Sequence, residues 1–368
     1  MIKVLQETIS TGYGGLELVI IEFHEWLINN NIEAYVIAVE GTPIEKHLIQ
    51  RGYQNSILSV PKNDSKKIAG IKEKYDSLET AFIFHSHKGL KQLAFNSYEA
   101  KITALSHTFY NSKKRDLWHR FLFSKVDQWV ALTARHKENL IATTAIPERK
   151  VCIIPNGVDL KKFKCFFKEI PGLNTPIKIG VVARLDKKKG QDVAIKAFKI
   201  LVANSSRKWT LHFYGEDTPN EEPTRPALER LVSELNLTDL VFFEGYQENL
   251  ATALSEMDVV WTPSLKETFG RCIIESMASG VPVIASNAGG VPDIIVNRKN
   301  GILFESGNEE DLFLKTIELI ENPFLFRAIQ MNARNDIEAN YNIENIWSKL
   351  LQTISPASVN LKIQTQSS

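Results

Sequence analysis

The sequence predicts an α/β protein made of two parallel-sheet domains. Short β-type runs alternate with longer helical patterns along the chain, the sign of parallel strands joined by crossover helices. Its 368 residues exceed what one hydrophobic core comfortably supports. A turn-rich, Pro-bounded stretch up to Pro176 reads as the linker between the two halves. The expected division is 1–165 and 166–339, followed by a helix at about 340–356 and a polar tail over 357–368.

Composition narrows the class. Lys plus Arg (44) and Asp plus Glu (43) nearly cancel to a net charge of +1, which removes any whole-molecule field for nucleic acid, so no nucleic-acid partner is expected. Three cysteines, Cys152, Cys165 and Cys272, are odd in number and have no metal-ligand spacing, consistent with reduced thiols in a cytoplasm. The start enters a strand with no apolar signal region. No apolar run approaches the roughly 20 residues of a membrane span. A soluble or peripheral cytoplasmic protein is the expectation.

In the first domain Ile2 to Leu5 reads as the opening strand. It leads to Ser10-Thr11-Gly12-Tyr13-Gly14-Gly15-Leu16-Glu17, a glycine-rich turn feeding an amphipathic helix that ends near Asn29 to Asn31. Such glycines either let backbone N–H groups approach a ligand or simply make a tight turn. The spacing is not the G-x-G-x-x-G of a dinucleotide dehydrogenase. Ala34 to Val39, Ser56 to Val60, Ala81 to Phe84, Ile102 to Leu105, Gln128 to Leu132 and Val151 to Ile154 read as further strands. His85 and His87 follow one of them, but no third ligand stands at a recognisable spacing and no metal is expected. His107 follows another, a place suited to chemistry and also common for core or surface histidines. Ser112 to Lys125 carries five Lys/Arg and one Asp among Leu117, Trp118, Phe121, Leu122 and Phe123. That pattern is a basic amphipathic helix, either packed with a solvated edge or lying on an anionic membrane surface.

The second domain opens with Ile177 to Ala183 and passes directly into Arg184 to Gly190, a cationic run ahead of a helix starting at Gln191. Such a run is a solvated loop or, between a strand and a helix, a phosphate site. Trp209 to Tyr214 leads to Gly215-Glu216-Asp217, and Val241 to Phe243 leads to Glu244-Gly245-Tyr246. Val259 to Trp261 ends at Thr262-Pro263. Glu267 then lies in a loop with Phe269-Gly270, and Glu275 lies eight positions on, in a helix whose core face is Ile273, Ile274 and Met277. A helix start suits an anion, whereas carboxylates accept hydrogen bonds from paired hydroxyls. Either these glutamates are solvated or the ligand is part phosphate and part polyol. Val281 to Ala285, the Gly289-Gly290 loop and helices to about Glu338 follow, and Ile343, Ile346, Trp347, Leu350 and Leu351 mark a closing amphipathic helix.

The segment from Glu267 through Phe269-Gly270 to Glu275-Ser276-Met277-Ala278-Ser279-Gly280-Val281-Pro282, and then Gly289-Gly290-Val291-Pro292-Asp293, resembles the nucleotide-sugar signature of the retaining family 4 glycosyltransferases. The resemblance implies the GT-B fold, two Rossmann-like parallel-sheet domains facing an interdomain cleft. It covers nearly the whole chain, most strongly from Arg184 to Asp293. Gly14, Gly15 and Glu17 match the family's GGxE element, which implies contact with the donor diphosphate. His107 corresponds to a histidine beside the donor sugar, and Pro155 to Asp159 to the interdomain element. Arg184 and Lys189 correspond to the cations that hold the diphosphate, Glu267 to the residue that orients the sugar hydroxyls, and Glu275 to the one that binds the ribose. Gly215, Gly245, Tyr246, Phe269 and Gly270 are carried over as donor-binding positions, with Gly245 and Tyr246 bordering the base. Asp217 departs from the pattern, standing where the family usually has a second glycine. Arg271 is either solvated or faces a uronic-acid carboxylate on the donor. The closing helix is implied to cross back onto the first domain.

What this implies is a hexosyltransferase that moves a sugar, with retention, from a nucleotide-diphosphate donor, UDP more readily than GDP. The acceptor would be a glycan or lipid-linked molecule of bacterial surface polysaccharide or lipopolysaccharide synthesis. No Asp-x-Asp motif occurs, so a metal-free diphosphate site without cofactor is expected. Two rivals share the features: a GT-B sugar-nucleotide epimerase, and a binding homologue without turnover.

Overall fold

The computed structural model describes residues 2–359, leaving out positions 11, 13, 88, 95 and 218–221. Two residues of the glycine-rich turn and most of the expected polar tail therefore lie outside the described residues. By contacts the chain forms two units, Met1–Asn156 with Glu344–Ser368, and Gly157–Ile343. The change of unit falls at 156/157, because the stretch read as a linker is fastened to the second unit. Phe166 N donates to Ser279 O at 3.1 Å, and Lys168 donates to Met257 O at 3.1 Å.

The first unit is a parallel sheet of β1 (Lys3–Glu7), β2 (Glu33–Val39), β3 (Ile57–Val60), β4 (Thr80–Phe84), β5 (Lys101–Leu105), β6 (Gln128–Ala131) and β7 (Val151–Ile153). Their order is β3-β2-β1-β4-β5-β6-β7. Crossover helices cover both faces, so a central strand such as β4 (TAFIF) is buried at every position and reads as a continuous apolar run. The sheet reverses its direction of growth between β1 and β4, and ligands bind at such switch points, outside the carboxyl ends of the strands. The helix Gly15–Asn29 leaves that edge and buries Val19, Ile20, Ile21, Phe23, Trp26 and Leu27. Onto it packs the last helix, Ile343–Ile354: Trp347 stands 5.0 Å from Phe23, ring to ring, and Trp26 Nε1 donates to Glu344 at 2.7 Å.

The basic segment differs from its expectation. Only Leu117–Ser124 is helical, because Asp116 caps the helix by accepting from His119 N at 3.1 Å, while Lys114 N donates to Thr143 O at 2.7 Å. Leu122 and Phe123 are buried, and Leu117, Trp118 and Phe121 stay exposed.

The second unit is again wholly parallel: β8 (Ile177–Val182), β9 (Trp209–Tyr214), β10 (Val241–Gly245), β11 (Val259–Thr262), β12 (Val283–Ser286) and β13 (Ile302–Phe304), in the order β10-β9-β8-β11-β12-β13. β13 lies in a region read as helical; three residues are too few to display a period of two. Proline has no N–H for a ladder, and β12 starts one residue after Pro282. Here the switch point falls between β8 and β11, so the loops beginning at Arg184 and Ser264 share one crevice.

Candidate active site

At the switch point of the second sheet, Lys189 Nζ lies 2.6 Å from Glu267 Oε2. The two residues are 78 positions apart in sequence. Lys189 closes a single 3₁₀ turn, Lys187–Lys189, in which Asp186 accepts from Lys188 N at 2.8 Å. Buried Gln191 holds the turn from behind by donating Nε2 to Arg184 O at 2.8 Å. Arg184 itself is exposed at the rim and forms no ion pair among the described residues. With side chains only 23% and 14% exposed, Lys189 and Glu267 attract each other with less screening than an open surface pair. Ser264 Oγ adds a longer hydrogen bond of 3.4 Å to the same carboxylate oxygen.

The main chain of Glu267 is clamped as firmly as its side chain. Gly290 N donates to Glu267 O at 2.9 Å, and a Cβ on Gly289 would stand 1.9 Å from that oxygen. Gly289 also has φ +56°, so the position requires glycine twice over. Gly270, left-handed at φ +87°, then turns the chain into the helix Arg271–Ala278, and Phe269 is buried beside it. On that helix Arg271 Nη2 pairs with Glu275 Oε1 at 3.1 Å, so the arginine charge faces the glutamate one turn on. Between the two glutamates Cys272 is partly buried, and desolvation together with the nearby Glu267 charge pushes its thiol up to about 12, which keeps it protonated.

The loops after β9 and β10 meet alongside. Gly215 N donates to Gly245 O at 2.8 Å, and a Cβ on Gly215 would stand 2.0 Å from Ala183 O. Tyr246 N donates to Glu216 Oε1 at 3.4 Å, and the residue is 47% exposed. Asp217 has a local reason to replace glycine: its carboxylate accepts from Thr224 N at 2.6 Å and Arg225 N at 3.1 Å, starting the helix Arg225–Glu234.

In the first unit the glycine-rich turn is held from within. Ser10 Oγ donates to the buried Glu17 carboxylate, Gly12 N donates to Ser10 Oγ at 3.3 Å, and Gly14 O receives Leu18 N at 3.1 Å. Glu17 thus shapes the turn, and Gly15 lies exposed at the helix start. His107, partly exposed beyond β5, has Nε2 3.1 Å from His85 Nδ1. His136 lies nearby, 3.0 Å from Ser106 Oγ and 3.1 Å from Thr108 O. Desolvation, with His136 as the smaller cause, holds His107 neutral, down to about 3. Ser264, Gln6 and His136 were not signalled by the sequence; each is an ordinary polar residue in a strand, loop or helix, with no motif to mark it.

Two family models divide the chain between them: Glycosyltransferase Family 4 over residues 13–162 and Glycosyl transferases group 1 over residues 163–337. The chain belongs to the family 4 glycosyltransferases. Among its curated relatives, N-acetyl-alpha-D-glucosaminyl L-malate synthase of Bacillus anthracis is 32% identical over 162 residues, 44% of this family 4 chain and 40% of the relative. The UDP-Gal:alpha-D-GlcNAc-diphosphoundecaprenol alpha-1,3-galactosyltransferase of Escherichia coli is 24% identical over 370 residues, 93% of this chain and 94% of that one. The matches span 40% to 59% of the length of the first four curated relatives. Anabaena Alr3699/HepE, crystallised in complex with UDP, superposes with a TM-score of 0.83 at 20% identity, covering 96% of this chain and 99% of its own. That likeness is one of fold, the GT-B pair of parallel sheets.

Proposed function

We propose that this protein transfers a hexose-type sugar, with retention, from a UDP-sugar to a glycan or lipid-linked acceptor in surface polysaccharide synthesis. The observation that carries the proposal is the Lys189–Glu267 pair at the switch point of the second sheet. A cation and a carboxylate side by side suit a donor whose diphosphate is anionic and whose sugar offers hydroxyls. Arg184 at the rim and the N–H groups of the glycine loops add to the positive field, and Glu275 accepts from the ribose. As the glycosidic bond breaks, negative charge grows on the departing diphosphate, and preorganised cations stabilise that change more than the ground state. The first unit is assigned the acceptor. Supporting the choice of UDP and acceptor, the Anabaena structure holds UDP, and the Escherichia coli relative is named for UDP-Gal and a diphosphoundecaprenol.

Donor binding is tested by thermal stabilisation with UDP, GDP, ADP and their sugar conjugates, with and without EDTA. At a hundredfold excess over Kd one nucleotide should add about 2.7 kcal/mol of apparent stability. EDTA should leave the shift unchanged. Glu275→Ala should weaken that nucleotide about 10- to 100-fold, as expected for a lost charge-assisted hydrogen bond. No shift with any nucleotide at millimolar concentration would sink the proposal.

A peripheral membrane contact at the helix Leu117–Ser124 accompanies this reading. Leu117, Trp118 and Phe121 are 83%, 44% and 45% exposed, with exposed Lys113 and Arg120 close in sequence and Lys125 Nζ 5.4 Å from the Phe121 ring centre. No helix among the described residues is long and apolar enough to cross a membrane. Co-sedimentation with phosphatidylglycerol vesicles is expected, weak with phosphatidylcholine alone and lost in Trp118→Ser/Phe121→Ser. Equal binding by that variant would remove the contact from the proposal.

A further inference from the structure

The helix Arg271–Ala278 begins at the crevice of the second unit, and its 8 residues carry the chain about 12 Å away to Ser279 and Gly280. There the stretch 161–168, KKFKCFFK, is fastened across the helix end. Phe166 N donates to Ser279 O at 3.1 Å, and a Cβ on Gly280, left-handed at φ +77°, would stand 2.8 Å from Cys165 Sγ. Beside this stretch runs the helix Pro323–Asn340, held by Gln330 Nε2 donating to Gly280 O at 3.0 Å and by Arg334 Nη1 donating to Phe163 O at 3.2 Å. Phe326, Ile329, Ala333 and Ile337 bury one side of that helix. On its other side Phe324 and Met331 are 90% and 46% exposed, and Arg327, one turn on from Phe324, lies 4.4 Å from the Phe167 ring centre. Phe166 and Phe167 are themselves 57% and 41% exposed. Two segments distant in sequence therefore present one fixed face of solvent-exposed phenylalanines.

The charge of this face has one sign. Residues 161–168 and 323–335 contain Lys161, Lys162, Lys164, Lys168, Arg327 and Arg334 and no carboxylate. Lys168 and Arg334 are taken up by Asp258 at 3.7 Å and Glu338 at 2.5 Å, and the other four cations form no ion pair among the described residues. Large apolar side chains gathered on a surface mark an interaction site. The lysines decide the kind of partner. Protein interfaces are enriched in phenylalanine but depleted of lysine, whereas an anionic lipid surface suits both, taking rings at the acyl boundary and ammonium groups among the headgroups.

We propose that this face of the second unit docks on an anionic membrane surface, with Phe166, Phe167 and Phe324 entering the headgroup–acyl boundary and Lys161, Lys162 and Lys164 pairing with lipid phosphates. The helix Leu117–Ser124 belongs to the other unit, so this is a second contact, and it rests on no part of the donor chemistry.

The test places an environment-sensitive dye on Ala328→Cys, an exposed position between Phe324 and Met331, in the full chain. The unsubstituted chain, taken through the same labelling, gives the background from Cys152, Cys165 and Cys272. The readout is local, so binding through the helix Leu117–Ser124 does not imitate it. With phosphatidylglycerol vesicles the emission should rise and shift to the blue, and nitroxide-bearing lipid should quench it; phosphatidylcholine alone should do neither. The lipid concentration at half-effect should increase about a hundredfold in Lys161→Ala/Lys162→Ala/Lys164→Ala, at about fivefold for each lysine near the surface. Phe166→Ser/Phe324→Ser should raise it at least about tenfold. Unchanged emission at millimolar phosphatidylglycerol would overturn the proposal, as would a half-effect that the lysine variant leaves in place. So would a blue shift without lipid that grows with protein concentration alongside a doubled mass in light scattering, which would give the face to a second copy of the chain.

Discussion

Lys189→Ala is expected to lower kcat/KM by about 10²–10³, the loss seen when one preorganised donor to a developing anion is removed. The larger part should appear in kcat, because the charge on the leaving diphosphate exists in full only after the sugar has departed. Two effects combine in this variant. The cation is lost, and Glu267, whose Oε2 was held at 2.6 Å, loses its strongest fastening to the opposite loop. Glu267→Gln separates them, since it keeps the lysine and removes only the carboxylate charge. If the two residues act as one unit, the double variant should be little worse than the poorer single one. A Lys189→Ala enzyme within threefold of wild-type kcat would show that the diphosphate is stabilised elsewhere.

The largest effect on stability should come from Lys72→Met. Lys72 and Glu7 form an ion pair with side chains 1% and 3% exposed, completed by Gln92 Oε1 at 2.7 Å and the face of Phe84, 4.3 Å from Nζ. Removing one partner of such a pair strands the other and costs about 3–5 kcal/mol. Burial already raises the Glu7 carboxyl, and Lys72 pulls it back down. Without the lysine the carboxyl rises further. A group whose folded pKa lies above its unfolded value contributes stability that is complete below the unfolded pKa and is lost as pH rises through the folded one. The urea midpoint of the variant, relative to wild type, should therefore be worse at pH 8 than at pH 5. Glu7→Leu/Lys72→Met should recover most of the loss. Equal deficits at both pH values would point to a packing defect rather than a stranded charge.

How much was legible in the sequence depended on whether a feature was local. Parallel strands buried on both faces announce themselves, as VVWT of β11 does, and the sequence accordingly yields two alternating halves. β13 escaped because three residues display no period, and the helix Leu117–Ser124 was read six residues too long, five of them at its start, because its cap, Asp116, was taken as part of the basic run. Glu267 and Glu275 were visible as a pair, since eight positions of loop and helix bring them near one another in any such turn. Lys189 reached Glu267 only through resemblance, because no spacing rule connects residues 78 apart. Gln6 and His136 lay beyond both routes, since no motif marks either of them.

Gly190, Gly215 and Gly289 each meet a backbone carbonyl of a neighbouring loop where a side chain would begin, at 2.1 Å from Pro263 O, 2.0 Å from Ala183 O and 1.9 Å from Glu267 O. These contacts follow the sheet order β9-β8-β11-β12, so four successive loops interlock main chain to main chain. Engineering inherits the constraint. Grafting a single loop from another sugar-specific member would displace its neighbours in turn, and chimeras should fold only when all four loops are exchanged as a block. Side chains that project from this frame can then be exchanged one at a time, while the frame itself moves only as a unit.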